Sequence, residues 1–185
     1  KLAEEHLALA YHRELGVDVK IARLFNVIGP YQTGAYGMVV PRFIDHALHN
    51  KTIPVYGNGQ QTRTFCYIED ILDGIETIIK KGKPGEIYNI GGTEEITILE
   101  LADKIRRLTS SDSPIELVPY EKAFHKDFEE TLQRAPDISK LRGLGYNPKY
   151  SLDDALEKII EYRKTLQKKA SIGGALEFKE AYTIL

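Results

Sequence analysis

The sequence predicts an α/β fold. Short apolar, strand-like runs alternate with amphipathic helical patterns along the whole chain. Polar residues collect at the ends of these elements rather than within them, which is where α/β proteins build sites. Glycines and a capping box mark the points where one periodicity gives way to the other.

The chain opens inside a helical pattern, with Ala3, Leu7, Ala10, Tyr11 and Leu15 on one face and Gly16 as a C-cap. No initiator Met and no capping residue precede it, so the sequence reads as a fragment whose front part is absent. Val17, Val19 and Ile21 alternate with polar residues, and Ala22 and Leu24 extend that strand. Val39, Val40, Phe43, Ile44, Ala47 and Leu48 form a helix that tolerates Pro41 in its first turn. Ile53–Tyr56 is an edge-type strand because it carries Pro54, and Gly57-Asn-Gly59 turns into a strand over Arg63–Ile68. Ile71, Leu72, Ile75, Ile78 and Ile79 make the next helix, with Lys80 and Lys81 at its negative end. Asp70 sits in its first turn, where a carboxylate favours the helix dipole.

Glu86–Ile90 is a strand ending at Gly91-Gly92. Thr97 and Glu100 form a capping box for a helix carrying Leu101, Ala102, Ile105 and Leu108. Ile115–Val118 is a short strand, Tyr120–Leu132 a charged and aromatic loop, and Asp137–Leu144 a short helix. Ser151 through Asp154 cap a last amphipathic helix with Leu152, Ala155, Leu156, Ile159 and Ile160 inward. From Lys168 the tail lacks a clear period.

The bulk numbers exclude several classes. A chain of 185 residues with 42% hydrophobic content suits one moderate soluble domain. A net charge of -2 and a pI near 6.3 give no basic field to recruit nucleic acid or an anionic membrane. The single Cys66 leaves no internal disulfide framework and fits a reducing, cytoplasmic setting. No apolar run approaches the ~20 residues of a membrane span. His46 and His49 stand at a metal-friendly spacing, but only Asp45 lies beside them, so no metal is expected. Cys66, flanked by Phe65 and Tyr67, reads as a small core residue rather than a nucleophile.

Three polar clusters can carry chemistry. Asn26, with Gly29, Pro30 and the loop to Gly37, can donate to a phosphate or sugar oxygen, or can cap a strand-end turn. Arg63, after Gly57-Asn-Gly-Gln-Gln-Thr, presents a guanidinium fork suited to phosphate, or a surface ion pair. Arg134 and Asp137 can hold a phosphate and a ribose hydroxyl, or be a solvated charge and a helix cap. Two arginines without acidic pairing, plus an Asn, point to an anionic small ligand.

Taken in order, Lys1-Leu-Ala-Glu-Glu, Arg23-x-Phe-Asn-x-x-Gly-Pro30, Val40-Pro41-x-Phe43, Val55-Tyr-Gly-Asn-Gly59, Thr62-Arg-x-Phe65, Asn89-Ile-Gly91 and Arg134-x-Pro-Asp-Ile138 resemble one family. It is the extended short-chain dehydrogenase/reductases, in the nucleotide-sugar epimerase/dehydratase/decarboxylase group. The resemblance runs from Lys1 to about Leu166, leaving 167–185 unassigned. It implies the C-terminal part of an NAD(P)-binding Rossmann fold with a small α/β substrate-binding lobe over residues 1–166. Lys1 falls on the family's catalytic Lys, which holds the nicotinamide ribose and lowers the pKa of a Tyr four residues earlier. That Tyr and the Gly-rich dinucleotide fingerprint are not in this sequence.

By the same resemblance, Leu24 and Phe25 would line the nicotinamide end of NAD. Asn26 would contact the diphosphate of a nucleotide sugar, beside Met38, Val39 and Val40. Pro54 and Tyr56 would border the base through backbone contacts, Arg63 and Arg134 would clamp the diphosphate, and Asp137 would reach the nucleotide ribose. The implied chemistry is NAD-dependent oxidation at the sugar's C4 to a 4-keto intermediate. Its fate is epimerisation, decarboxylation at C6 or dehydration at C6, decided largely by residues expected before Lys1. UDP-sugar 4-epimerisation is the leading expectation, as the commonest use of the pattern. The charged segment before Arg134 keeps UDP-glucuronate decarboxylation close, with 4,6-dehydration the other alternative. An enzyme is expected of the full-length parent, as a homodimer, with this chain alone inactive. Two rivals from other classes are a nucleotide-sugar-binding module without turnover and a structural role for helix Lys1–Leu15 in an interface.

Overall fold

The computed structural model describes residues 1–34, 38–123 and 131–172. The later part of the loop to Gly37 and most of the charged segment after Tyr120 lie outside the described residues, as does everything beyond Ile172. In chain order the elements are α1 (Leu2–Leu15), β1 (Ile21–Leu24), β2 (Val27–Ile28), α2 (Val39–Leu48), β3 (Ile53–Tyr56), β4 (Thr62–Thr64), β5 (Cys66–Tyr67) and α3 (Ile68–Lys81). There follow β6 (Ile87–Ile90), β7 (Glu95–Thr97), α4 (Ile98–Thr109), β8 (Ile115–Val118), α5 (Tyr120–Ala123), β9 (Gln133–Arg134), α6 (Ser139–Arg142) and α7 (Leu152–Ile172).

Strand pairing is mostly parallel, as alternation with helices requires. β1 pairs with β6, β2 with β5 and β3 with β8, all parallel. β4 lies between an antiparallel β7 and a parallel β9. β3 meets β8 on one edge, with the Ile53 amide donating to Pro114 O and the Gly57 amide to Val118 O. That register turns the backbone of Pro54 and Tyr56 toward the opposite edge.

Two apolar clusters hold these pieces. Phe43 and Ile44 of α2, Leu101 and Ile105 of α4, Leu156 and Ile159 of α7 and Val55 of β3 pack as one. Ile71 and Ile78 of α3, Ile90 of β6, Leu141 of α6, Tyr146 and Cys66 form the other. Burial pushes the Cys66 thiol up to about 11, so it carries no thiolate at neutral pH. The capping box at the start of α4 is present in full: the Glu100 amide donates to Thr97 Oγ1, and the Glu100 carboxylate accepts from the Thr97 amide.

The structure departs from the expected strands in instructive places. β1 starts at Ile21 rather than Val17, because the chain up to Lys20 is spent returning from α1 past Gly16, which takes a left-handed φ of 67°. The strand expected over Arg63–Ile68 is interrupted at Phe65, and Ile68 already opens α3. There Asn26, at φ 39°, donates from Nδ2 to Thr64 O at 2.7 Å and accepts from the Cys66 amide at 3.1 Å. The chain thereby leaves its pairing with β7 and β9 and joins β2. The two-residue strands β2 and β9 are too short to show a period. At the other end, α7 continues through Lys168 to Ile172, where no amphipathic pattern announces a helix.

Asp70 does more than favour a dipole. It is 1% exposed, and its two oxygens accept from the amides of Lys149 and Tyr150. This ties the start of α3 to the chain leading into α7.

α1 stands apart from both clusters. None of its residues is buried, and Leu2, Leu7, Tyr11 and Leu15 are all exposed. A fork from Arg23 to the Glu5 carboxylate, at 2.8 and 2.6 Å, ties it to β1. An apolar stripe of this kind favours association. We expect the chain to self-associate, so light scattering with rising concentration should read masses above 20.9 kDa. Leu7→Glu with Leu15→Glu should reverse this; a monodisperse monomer at all concentrations would contradict it.

Candidate active site

One cavity of about 440 Å³ opens where β3, β4, the start of α2 and the β2 exit converge. Each wall follows from local folding. Pro54 and Tyr56 reach it because β3 is paired on its other edge. Met38, Val39 and Val40 reach it as the N-cap and first turn of α2, an end with neither a side-chain cap nor an acidic residue. Asn26 enters from the β1–β2 junction, and Arg63 from the middle of β4. Arg63 Nη1 donates to its neighbour Thr62 O and to Thr131 O, both at 2.7 Å, which fixes the guanidinium against the segment entering β9. The Gly57-to-Gly59 turn that aims β4 requires left-handed backbone at both glycines, with φ of 68° and 72°.

The cavity therefore brings together Asn26, Met38, Val39, Val40, Pro54, Tyr56 and Arg63. Arg134 is not among its lining residues, but it is the register partner of Arg63 across β4 and β9, so the two side chains leave the same face of the sheet. Asp137 is exposed nearby in sequence. Its Oδ1 accepts from the Ser139 amide at 2.8 Å, a bond that holds its carboxyl below the usual range, and its carbonyl accepts from Asn89 Nδ2. This is an Asx-turn one residue ahead of α6, whose N-cap is Ile138 without a side-chain cap bond, so Asp137 is not the helix cap expected from the sequence.

The residues assigned to the cofactor lie elsewhere. Leu24, 49% exposed, and the half-buried Phe25 sit at the carboxyl ends of the parallel pair β1–β6. The Phe25 amide donates to Ile90 O at 2.9 Å. An apolar side chain left open at the ends of parallel strands fits the flat, weakly polar ring of a nicotinamide. Lys1 stands at the start of α1 with its ammonium on Glu4 at 2.9 Å, which raises its pKa and keeps it charged.

Sequence reasoning passed over several wall residues. Arg42 lies with its guanidinium 4.9 Å above the Tyr56 ring. Gln61, 6% exposed, donates from Nε2 to Tyr56 O at 3.1 Å, and its Oε1 is buried without a partner. Gln32 donates to Val27 O at 2.7 Å, and its own carbonyl accepts from Arg163 of α7. Phe65 completes the wall from the interruption between β4 and β5. The signal for Arg42 was available: a cation in the first helical turn opposes the dipole, so folding does not ask for it. Among the described residues no group of three His, Cys, Asp or Glu side chains could hold a metal, and no helix is long and apolar enough to cross a membrane.

The family model described as NAD dependent epimerase/dehydratase family matches residues 1–91. A UDP-N-acetyl-alpha-D-glucosaminuronate decarboxylase of Bacillus cytotoxicus is 38% identical over 169 residues, covering 90% of this chain and 52% of the relative. Human dTDP-D-glucose 4,6-dehydratase is 37% identical over 183 residues, covering 96% of this chain and 51% of that protein. Among solved structures, the UDP-glucuronic acid 4-epimerase of Bacillus cereus, crystallised with UDP-glucuronic acid and NAD, superposes with a TM-score of 0.79. It is 34% identical, over 90% of this chain and 51% of its own. This chain spans about half the length of these relatives. Its parallel strand pairs and flanking helices are part of the Rossmann-type α/β fold expected from the sequence. With a family model over its first 91 residues and relatives this similar along most of its length, the chain belongs to the NAD-dependent epimerase/dehydratase family.

Proposed function

We propose that the whole protein modifies a nucleotide sugar through a 4-keto intermediate, with NAD as cofactor and a UDP-linked sugar as substrate. The observation that carries this is the single cavity uniting Asn26, Met38–Val40, Pro54, Tyr56 and Arg63, whose wall holds no carboxylate among the described residues. Such a wall favours an anionic ligand with an apolar, flat portion.

In this reading Pro54 and Tyr56 border the base and Arg63 and Arg134 hold the diphosphate. Paired like charges on adjacent strands repel, and an anion between them offsets that cost. Asn26 spends one amide hydrogen on Thr64 O and has a second to give a diphosphate oxygen. Asp137 receives a ribose hydroxyl on its carboxylate. Leu24 and Phe25 would hold the nicotinamide end of NAD, and Lys1 its ribose hydroxyls. When bound, NAD supplies hydride acceptance and return at the sugar's C4.

Of the possible fates, 4-epimerisation is the leading reading; the 38% identity to a decarboxylase supports decarboxylation as the second. Incubating the whole protein with UDP-glucose and with UDP-glucuronate, and following products by NMR, separates them. A C4 epimer supports the first, and a pentose product with released CO2 the second. No turnover of any UDP- or dTDP-sugar would remove the proposal. The proposed setting is cytoplasmic, and the apolar stripe of α1 is the proposed contact of a homodimer.

This chain by itself should turn over none of these sugars. It carries no Gly-rich dinucleotide fingerprint to seat the pyrophosphate of NAD. Steady-state assay of the pure 185-residue chain with NAD and UDP-sugars should give background rates; clear turnover would contradict the expectation.

A further inference from the structure

The cavity holds a second cation, at the open position of Val40-Pro41-x-Phe43, that the fold does not account for. Arg42 stands in the first turn of α2, at the helix's positive end, where no acidic residue and no side-chain cap offsets it. Its guanidinium carbon lies 4.9 Å from the centroid of the Tyr56 ring, a cation–π contact that favours this placement. Its Nε is buried and meets no hydrogen-bond acceptor. Leaving a buried guanidinium N–H unmatched is costly unless something else in use supplies the acceptor. Arg63 lines the same cavity, and so does the open start of α2. Three sources of positive potential therefore face one space without a carboxylate among the described lining residues.

We propose that Arg42 is a further substrate-binding residue, which together with Arg63 holds a phosphate group of the nucleotide in this cavity. The proposal rests on the nucleotide-sugar reading above and adds to it the residue at the open position of Val40-Pro41-x-Phe43. The guanidinium fork matches the tetrahedral oxyanion, and the contact with Tyr56 favours its placement before the ligand arrives, so less side-chain freedom is lost on binding. A purely structural Arg42 would instead act through Tyr56 alone, and would affect charged and uncharged nucleosides alike.

The test is calorimetric titration of the whole protein and its variants with UDP and with uridine. Arg42→Gln should weaken UDP binding at least fivefold and change uridine binding less than twofold. Arg42→Lys, which keeps the charge but loses the fork, should recover part of the loss. Circular dichroism and thermal unfolding of both variants establish that each is folded, and the Lys variant serves if the Gln variant is not. UDP affinity within twofold of the unaltered protein in both variants overturns the proposal. Equal weakening of UDP and uridine overturns it as well, because the effect then runs through Tyr56. If the unaltered protein binds neither ligand, the nucleotide-sugar reading falls and takes this proposal with it.

Discussion

Replacing Arg134 by Ala in the whole protein should weaken UDP binding roughly tenfold or more, and Arg63→Ala should do the same. The expectation comes from two charge-assisted contacts to one anion, worth about 1.5–3 kcal/mol each. Register partnership of the two residues across β4 and β9 brings them to one face although they are far apart in the chain. The two variants should differ in stability. Arg134 is exposed, and its loss should be close to neutral for folding. Arg63 also donates to Thr131 O and so fastens the segment that leads into β9; its loss should cost about 1 kcal/mol more. Titration calorimetry with UDP, beside urea unfolding, reads both quantities. Unchanged affinity in both variants would remove the clamp.

Gly92→Ala should destabilise the chain by roughly 3 kcal/mol or more, beyond the usual range for one added methyl. A Cβ built at Gly92 would lie 2.0 Å from the carbonyl oxygen of Phe65 and 2.8 Å from its carbonyl carbon. Both are backbone atoms, and the backbone there is held on each side, at Thr64 O and at the Cys66 amide, by Asn26. No side-chain rotation relieves the clash, so β6 and the β4–β5 junction must separate. For a chain of this size the loss corresponds to a fall in Tm of about 6–12 °C. Gly34→Ala is the matched control: its added Cβ would meet nothing closer than 3.6 Å and should stay within about 0.5 kcal/mol of the parent. Equal unfolding midpoints for the two variants would show that the junction yields easily.

What the sequence made legible was whatever depends on a period or on local chemistry. Most of the longer helices declared themselves through apolar spacing, whereas α5 lies where a loop was expected, and the capping box at Thr97 marked the start of α4 to the residue. Asn26 and Arg63 stood out because polar residues at element ends are more than a turn needs, while Pro54 and Tyr56 entered only through the family resemblance. What stayed hidden depends on distant partners. The interruption at Phe65 follows from a side chain 38 residues away in the chain, on Asn26. Asp70 was read from its helix position alone, while its two oxygens serve backbone 79 and 80 residues downstream. Arg42 and Gln61 gain their place at the cavity only where α2 and β4 close around one space.

Pro54 has a consequence beyond the border it gives the cavity. Among the described residues β3 is paired with β8 on one edge only, and its other edge opens onto a largely apolar space. An extended edge of that kind is a template for a foreign strand, and capture by a loose peptide would block the cavity or seed aggregation. Proline in the middle of that edge removes the amide that such a ladder needs. A small molecule, which needs only one or two contacts, is not penalised by the gap, whereas a peptide seeking a continuous run of bonds is. Together with the Tyr56 carbonyl, which already accepts from Gln61 Nε2, Pro54 leaves the edge little with which to pair a strand.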